Sequence, residues 1–311
     1  MTRLIGTLLA VLWSATAMAA DDLSWAYPVT PPPEPLNSTI QKQVPGSTKK
    51  YTQAQIDDPF NPPDWFPNEH PPMPEIVARG GQKPAGGACA QCHLPSGDGH
   101  PESASLAGLP ANYIVRQMAA FKNGERKGVR ANVMIAMAKV LSDAEVQAAA
   151  DYFASQKPTR GYNKVIEADK VPATFVGAGG MRFALTDGGF DPIGNRIIVL
   201  PQNPERAVLR DPKTGFADFV AKGSIARGAT LAAGGDGKTV ACATCHGPGL
   251  KGLNDVPGIT GRPATYIFRQ LNDMKTGNRS GGTVELMKPT VAKLDLTDMI
   301  ALSAYLGSLD P

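Results

Sequence analysis

Beyond its first twenty residues, this 311-residue chain has no apolar run near the ~20 residues that a membrane-spanning helix needs. Its charge is nearly balanced, 31 basic against 28 acidic residues, and no basic run offers a surface for nucleic acid. Histidine and cysteine are scarce, four of each, so cross-linking could supply two disulfides at most. Aromatic residues make up only 6%. Glycine (33) and proline (28) are plentiful instead, which implies much irregular chain and few long strands.

The first twenty residues read as a secretory leader. Arg3 is followed by an apolar stretch from Leu4 to Trp13 and then by small residues, with Ala17-Met18-Ala19 in the small-x-small pattern of a cleavage site. The mature chain is expected to begin near Ala20 or Asp21, exported to the periplasm and with no transmembrane segment.

The cysteines decide the class. Cys89, Cys92 and His93 stand in CAQCH, and Cys242, Cys245 and His246 stand in CATCH. Cys-x-x-Cys-His is the attachment signal of c-type haem. Two thiols add across the two vinyl groups of the macrocycle, and the histidine that follows becomes the proximal iron ligand. Two disulfides, a zinc site and a thioredoxin-like pair are competing readings, but none of them calls for a histidine after each second cysteine.

The two motifs stand 153 residues apart, and the match continues at that spacing without a gap. Between Gly108–Gly128 and Gly261–Gly281, eleven of twenty-one positions are identical, among them Tyr113/Tyr266, Arg116/Arg269, Gln117/Gln270 and Arg126/Arg279. A repeat of this length means two copies of one domain. It also selects the sixth iron ligands. Met134 and Met137 both follow the first motif at a workable distance, but only Met134 has a methionine in register, Met287. Expected metal ligands are therefore His93 and Met134 for one haem, and His246 and Met287 for the other. Each repeat reads as haem motif, loop, helix, methionine loop and terminal helix. The spacing predicts helices over 110–122 and 263–275, ended by Gly124 and Gly277, and further helices from the capping box at Ser142 and its counterpart at Asp295. Arg126 and Arg279 are read either as partners of haem propionates or as solvated arginines. Tyr113 and Tyr266 are read as packing residues.

These features resemble the dihaem cytochrome c4 family and its single-domain class I relatives. The resemblance rests on CxxCH, the G-x-P-A-x-Y-I-x-R-Q segment, the G-x-R after it, and the methionine that precedes a capped helix. It covers roughly residues 76–156 and 226–309. It implies an all-α fold of two haem domains in tandem, two covalent haem c groups with His/Met ligation, and single-electron transfer in the periplasm. The chain departs from the family in two added segments. The resulting division is leader 1–20, proline-rich extension 21–75, first haem domain 76–156, interdomain segment 157–225 and second haem domain 226–311.

The extension holds thirteen prolines together with Trp25, Tyr27, Trp65 and Phe66, and is expected to wrap on a haem domain or to clamp a partner. In the interdomain segment, 195–201 and 208–220 are expected to pair as a small β-hairpin. His70 and His100 lack partners in sequence and are read as surface or loop histidines. An electron carrier follows, exchanging electrons with a dehydrogenase donor and an oxidase or cytochrome acceptor, with no catalytic residue of its own. A cytochrome subunit of a dehydrogenase complex is one alternative. A dihaem enzyme, such as a peroxidase or a thiosulfate-oxidising cytochrome, is the other, and it would need an iron left open.

Overall fold

The computed structural model describes residues 22–29, 39–129 and 131–311, so the leader lies outside the described residues. In chain order, the extension carries the short helix α1 (Gln53–Ile56), and α2 (Glu75–Ala78) opens the first repeat. That repeat continues with α3 (Cys89–His93), α4 (Ala111–Lys122), α5 (Asn132–Val140) and α6 (Asp143–Ser155). The interdomain segment contains β1 (Asn163–Glu167), β2 (Lys170–Pro172), β3 (Thr174–Val176), β4 (Arg182–Ala184), β5 (Phe190–Pro192), β6 (Ile198–Pro201), helix α7 (Pro204–Val208) and β7 (Phe216–Val220). The second repeat comprises α8 (Ser224–Ala232), α9 (Ala243–His246), the two-residue strands β8 (Gly252–Leu253) and β9 (Val256–Pro257), α10 (Ala264–Thr276), α11 (Lys288–Ala292) and α12 (Leu296–Ser308).

The repeat is a repeat of structure. Helix α6 and helix α12 have the same length and begin at equivalent positions, and so do α4 and α10 to within one residue. The signals read from sequence explain these limits. Ser142 accepts from the Glu145 N–H while the Glu145 carboxylate accepts from the Ser142 N–H. Asp295 and Asp298 close the same reciprocal box on α12. Gly124 and Gly277 leave their helices with φ of 76° and 78°, the left-handed conformation that glycine adopts without a Cβ clash.

The repeats differ in how their first helix packs. In the second, α8 runs nine residues against α12, so close at Gly228 that a Cβ there would lie 2.0 Å from the Ala301 carbonyl oxygen. Only glycine permits that approach. Its counterpart α2 has four residues.

The interdomain segment is more than the expected hairpin. Strands β6 and β7 do pair antiparallel, with Ile198 opposite Phe219, but α7 lies in their connection. Strand β1 adds parallel to the other edge of β7, and β2–β5 and β3–β4 form two further ribbons. Sequence reading missed β1 because NKVIE is mostly solvent-facing and carries no clean alternation. This small sheet shares a hydrophobic core with the second repeat: Ile197, Phe216 and Val220 pack in one cluster with Phe268, Leu294 and Leu302.

The extension wraps on the chain itself. Trp25 is 6% exposed and its ring lies 4.6 Å from that of Phe268 in α10. Trp65 is 2% exposed, packs with Val44, Ile56 and Phe66, and donates its indole N–H to the Leu209 carbonyl at 2.8 Å. Burying both indoles, with the Trp65 N–H satisfied, is what holds an irregular segment in place.

Candidate haem sites

One helical turn positions each motif. In α3 the three- and four-residue spacings put Cys89, Cys92 and His93 on neighbouring positions of one face. His93 is 8% exposed, and its Nδ1 lies 2.7 Å from the Ala104 carbonyl oxygen. A carbonyl only accepts, so Nδ1 carries the proton and Nε2 keeps its lone pair. His246 repeats the arrangement, with Nδ1 2.8 Å from the Pro257 carbonyl oxygen, the position equivalent to Ala104. Burial lowers the pKa of both rings, which keeps them neutral and able to ligate.

A cavity of about 510 Å³ opens beside the first motif, a size suited to a cofactor. Cys92 and His93 line it together with Leu109, Met118, Phe121 and Met134. Met137 instead packs in the core with Ile76 and Leu141, so the structure brings Met134 to the cleft as the repeat register expects. In the second repeat, Cys242 and Met287 both pack against the core cluster that contains Phe268. Burial pushes the Cys89 thiol up to about 12, and it raises Cys92 and Cys242 as well. Surroundings that disfavour a thiolate suit a neutral thioether. All four cysteines are unpaired, and no cluster of three or more metal-ligating His, Cys, Asp or Glu side chains occurs among the described residues. The disulfide and zinc readings lose their geometry, and the donor set fits a covalently held haem in each repeat.

The two motifs face different surroundings. Ala90 and Gln91, between the first pair of cysteines, are 1% and 8% exposed. Their counterparts Ala243 and Thr244 are exposed. The cover over the first motif comes from the two added segments. Ala88 donates its N–H to the Pro59 carbonyl at 2.8 Å, Arg210 donates to the Gln91 carbonyl at 2.7 Å, and Tyr162 donates its hydroxyl to the Gly99 carbonyl at 2.8 Å.

Between the repeats lies a reciprocal polar network. Arg126 donates to Gln117 at 3.0 Å and to Gln270 at 2.8 Å; Arg279 donates to Gln270 at 2.9 Å and to Gln117 at 2.8 Å. Each arginine also reaches the tyrosine of the other repeat, Arg126 to Tyr266 and Arg279 to Tyr113. Neither is a solvated surface arginine: Arg126 lines the cleft and Arg279 is 4% exposed. The two tyrosines are hydrogen-bonding partners across the domain junction as well as packing residues.

His100 corrects the sequence reading. It is in a loop but 7% exposed, faces the first cleft, and stacks edge-on against Phe216 of β7. Burial and the nearby Arg210 lower its pKa to about 3. The burying partner comes from 116 residues downstream, beyond the reach of any local pattern. His70 is paired, its Nε2 3.1 Å from the Asp64 carboxylate, which raises its pKa. Sequence reading also passed over Arg210 and Asp218. Asp218 breaks the inward-facing row Phe216–Asp218–Val220 of β7, and that break was a usable signal.

No family model matches the chain. Cytochrome c-554(548) of Halomonas halodenitrificans is 36% identical over 78 residues, 25% of this chain and 94% of that protein. A thiosulfate dehydrogenase electron acceptor of Thiomonas intermedia is 27% identical over 228 residues, 72% of this chain and 80% of the relative. Cytochrome c4 of Pseudomonas aeruginosa is 27% identical over 226 residues, 71% and 83% of the two chains.

Proposed function

The chain belongs to the c-type cytochromes, as a dihaem carrier of single electrons, and we propose that it works in the periplasm, taking electrons from a dehydrogenase and exchanging them through its second domain. The observation that carries the ligand assignment is the matched pair of histidine–carbonyl bonds, His93 to Ala104 and His246 to Pro257, which presents the same free nitrogen in both repeats. Cys89 and Cys92 hold one haem c and Cys242 and Cys245 the other. Met134 and Met287 supply the sixth ligands. A haem iron cycles between ferric and ferrous and so carries one electron at a time.

The residues do the rest. Fixing Nδ1–H on a backbone carbonyl holds each imidazole in one tautomer and orientation. Methionine sulfur favours the ferrous state and raises the potential. With His93 and Met134 holding one haem, and His246 and Met287 the other, each iron would have no position left for substrate. The exposed Ala243–Thr244 turn supports the second motif as the face that meets partners. The dehydrogenase donor is supported by the relative named as an electron acceptor for thiosulfate dehydrogenase. A permanent docking arm has less support, since both tryptophans of the extension are buried in this chain.

An absorption spectrum of the purified holoprotein, ferric and then ferrous, with carbon monoxide added to the ferrous form, tests the reading. Two low-spin haems, a sulfur-to-iron charge-transfer band and no response to carbon monoxide are expected. High-spin signal or carbon monoxide uptake would mean an open iron, and would turn the chain from carrier to catalyst.

A further inference from the structure

We infer that Arg210, a positioning residue in the interdomain segment, holds the haem of the first domain at a higher potential than that of the second. The inference rests on the ligand assignment above, and it adds a direction to electron flow within the chain.

Arg210 lines the first cleft together with Cys92 and His93. Its side chain is 19% exposed. The guanidinium donates to the Gln91 carbonyl at 2.7 Å and to the Ile56 carbonyl at 3.2 Å. Both partners are neutral. The nearest carboxylate, Asp57, is 3.9 Å away with half of its side chain in water, so it offsets little of the charge. The backbone at Arg210 has φ of 55°, a conformation that an arginine adopts at some energetic expense, which marks a position fixed by its surroundings.

A fixed positive charge in a poorly solvated site favours whichever state of its neighbour carries less positive charge. Ferrous haem carries one unit less than ferric haem, so Arg210 favours reduction. The other ionic groups at this cleft have partners, including Asp273, a carboxylate whose counterpart in the first repeat is Ala120. Arg269 is paired with Glu102 at 3.1 Å, and Asp273 accepts from Tyr27 while Arg126 and Arg279 act on it. Arg126 and Arg279 are related by the repeat and meet in one network at the junction, one arginine from each domain. Arg210 lies outside the repeat. Among the described residues, no guanidinium or ammonium group bonds to Thr244, which is the counterpart of Gln91. Arg210 is therefore a cation that the added segment brings to the first motif and not to the second.

The test is a spectroscopic redox titration of the holoprotein. Two one-electron waves are expected. Met134→His should lower the upper wave, which marks it as that of the first haem. Arg210→Met should lower the same wave, changing its ferrous-to-ferric ratio about tenfold, or 59 mV for a one-electron couple, and leave the other wave in place. Arg210→Lys keeps the charge and should hold the potential. If Arg210→Met does not accumulate, Arg210→Gln takes its place, since its amide still donates to a carbonyl. An upper wave that stays put without the charge overturns the inference. So does a shift confined to the lower wave, or a fall in Arg210→Lys as large as in Arg210→Met, which would assign Arg210 a packing role. A Met134→His variant that moves neither wave overturns the ligand assignment instead, and Arg210 is then judged by the contrast between its methionine and lysine variants.

Discussion

Ala90 and Ala243 occupy the same place in the same motif, one residue after the first cysteine of each repeat. One is buried in the core of its own domain with Val77 and Phe153, and the other faces solvent. The helical turn, the ring tautomer and the capped helices are shared by the two repeats, whereas the first helix is not. What also differs is that Pro59, Tyr162 and Arg210, which belong to neither repeat, hold the backbone around the first motif at Ala88, Gly99 and Gln91. A carrier built from two equal domains has two equivalent faces. Here the added segments hold the backbone of the first motif and bring Arg210 to it, while Ala243 and Thr244 of the second stay exposed.

The largest test of this contrast is a matched pair of substitutions. Ala90→Glu would bury an unpaired carboxylate in the core beside Val77 and Phe153, which costs several kcal/mol. The holoprotein should fail to accumulate. Ala243→Glu should change stability by no more than about 0.5 kcal/mol. It should still slow oxidation by anionic ferricyanide several-fold at low salt, an effect that fades as salt screens it. Holoprotein yield reads the first part, and stopped-flow oxidation of the parent and Ala243→Glu holoproteins reads the second. A rate indifferent to Ala243→Glu would mean that electrons leave by another face, and the comparison of open and closed motifs would lose its functional meaning.

How much of this was legible follows from the range of the interactions. The haem motifs, the paired helices and their caps were readable because each depends on residues within about one turn of one another. Met134 was chosen over Met137 because a repeat doubles the information at each position. The burial of His100 depends on Phe216, and the hold on Ala88 and Gln91 depends on Pro59 and Arg210. These are contacts across tens to more than a hundred residues, with no periodic signal at either end. The third strand escaped for a related reason: a parallel partner is joined through a long connection and leaves no turn signature.

A second test separates the two grips of the interdomain segment. Arg210 reaches the first domain, and Asp218 reaches the second by accepting from the Ala264 N–H at the start of α10. Burial holds the Asp218 carboxyl up at about 7, against an ordinary 3.8. Between these values the unfolded chain releases a proton that the folded chain retains, so the contribution of Asp218 to stability falls as pH rises from about 4 to 7 and then levels. The full shift corresponds to at most about 4 kcal/mol. Asp218→Asn removes the titration, so its stability relative to the parent chain should rise across that window and stay flat above it. Urea unfolding of both holoproteins at pH 4.5, 6 and 7.5 measures the difference. A gap that does not vary with pH would show that water reaches this carboxyl and that the grip on α10 is looser than the one on α3.

The smallest effect belongs where the two repeats agree. Ser142 and Asp295 close equivalent capping boxes, so Ser142→Ala and Asp295→Ala should each cost about 1 kcal/mol. The second box has extra company, because Lys238 bonds to both Asp295 and Asp298, and Arg227 also reaches Asp298, whose side chain is fully buried. Asp295 itself is more than half exposed, and an exposed ion pair adds little. Removing it leaves Asp298 with both cations, so the two substitutions should match to within about 0.5 kcal/mol. Thermal unfolding of the two holoproteins decides the point. If Asp295→Ala cost several kcal/mol while Ser142→Ala cost about one, the charged cluster would act as a unit, and the repeats would differ even in the element where sequence and structure make them most alike.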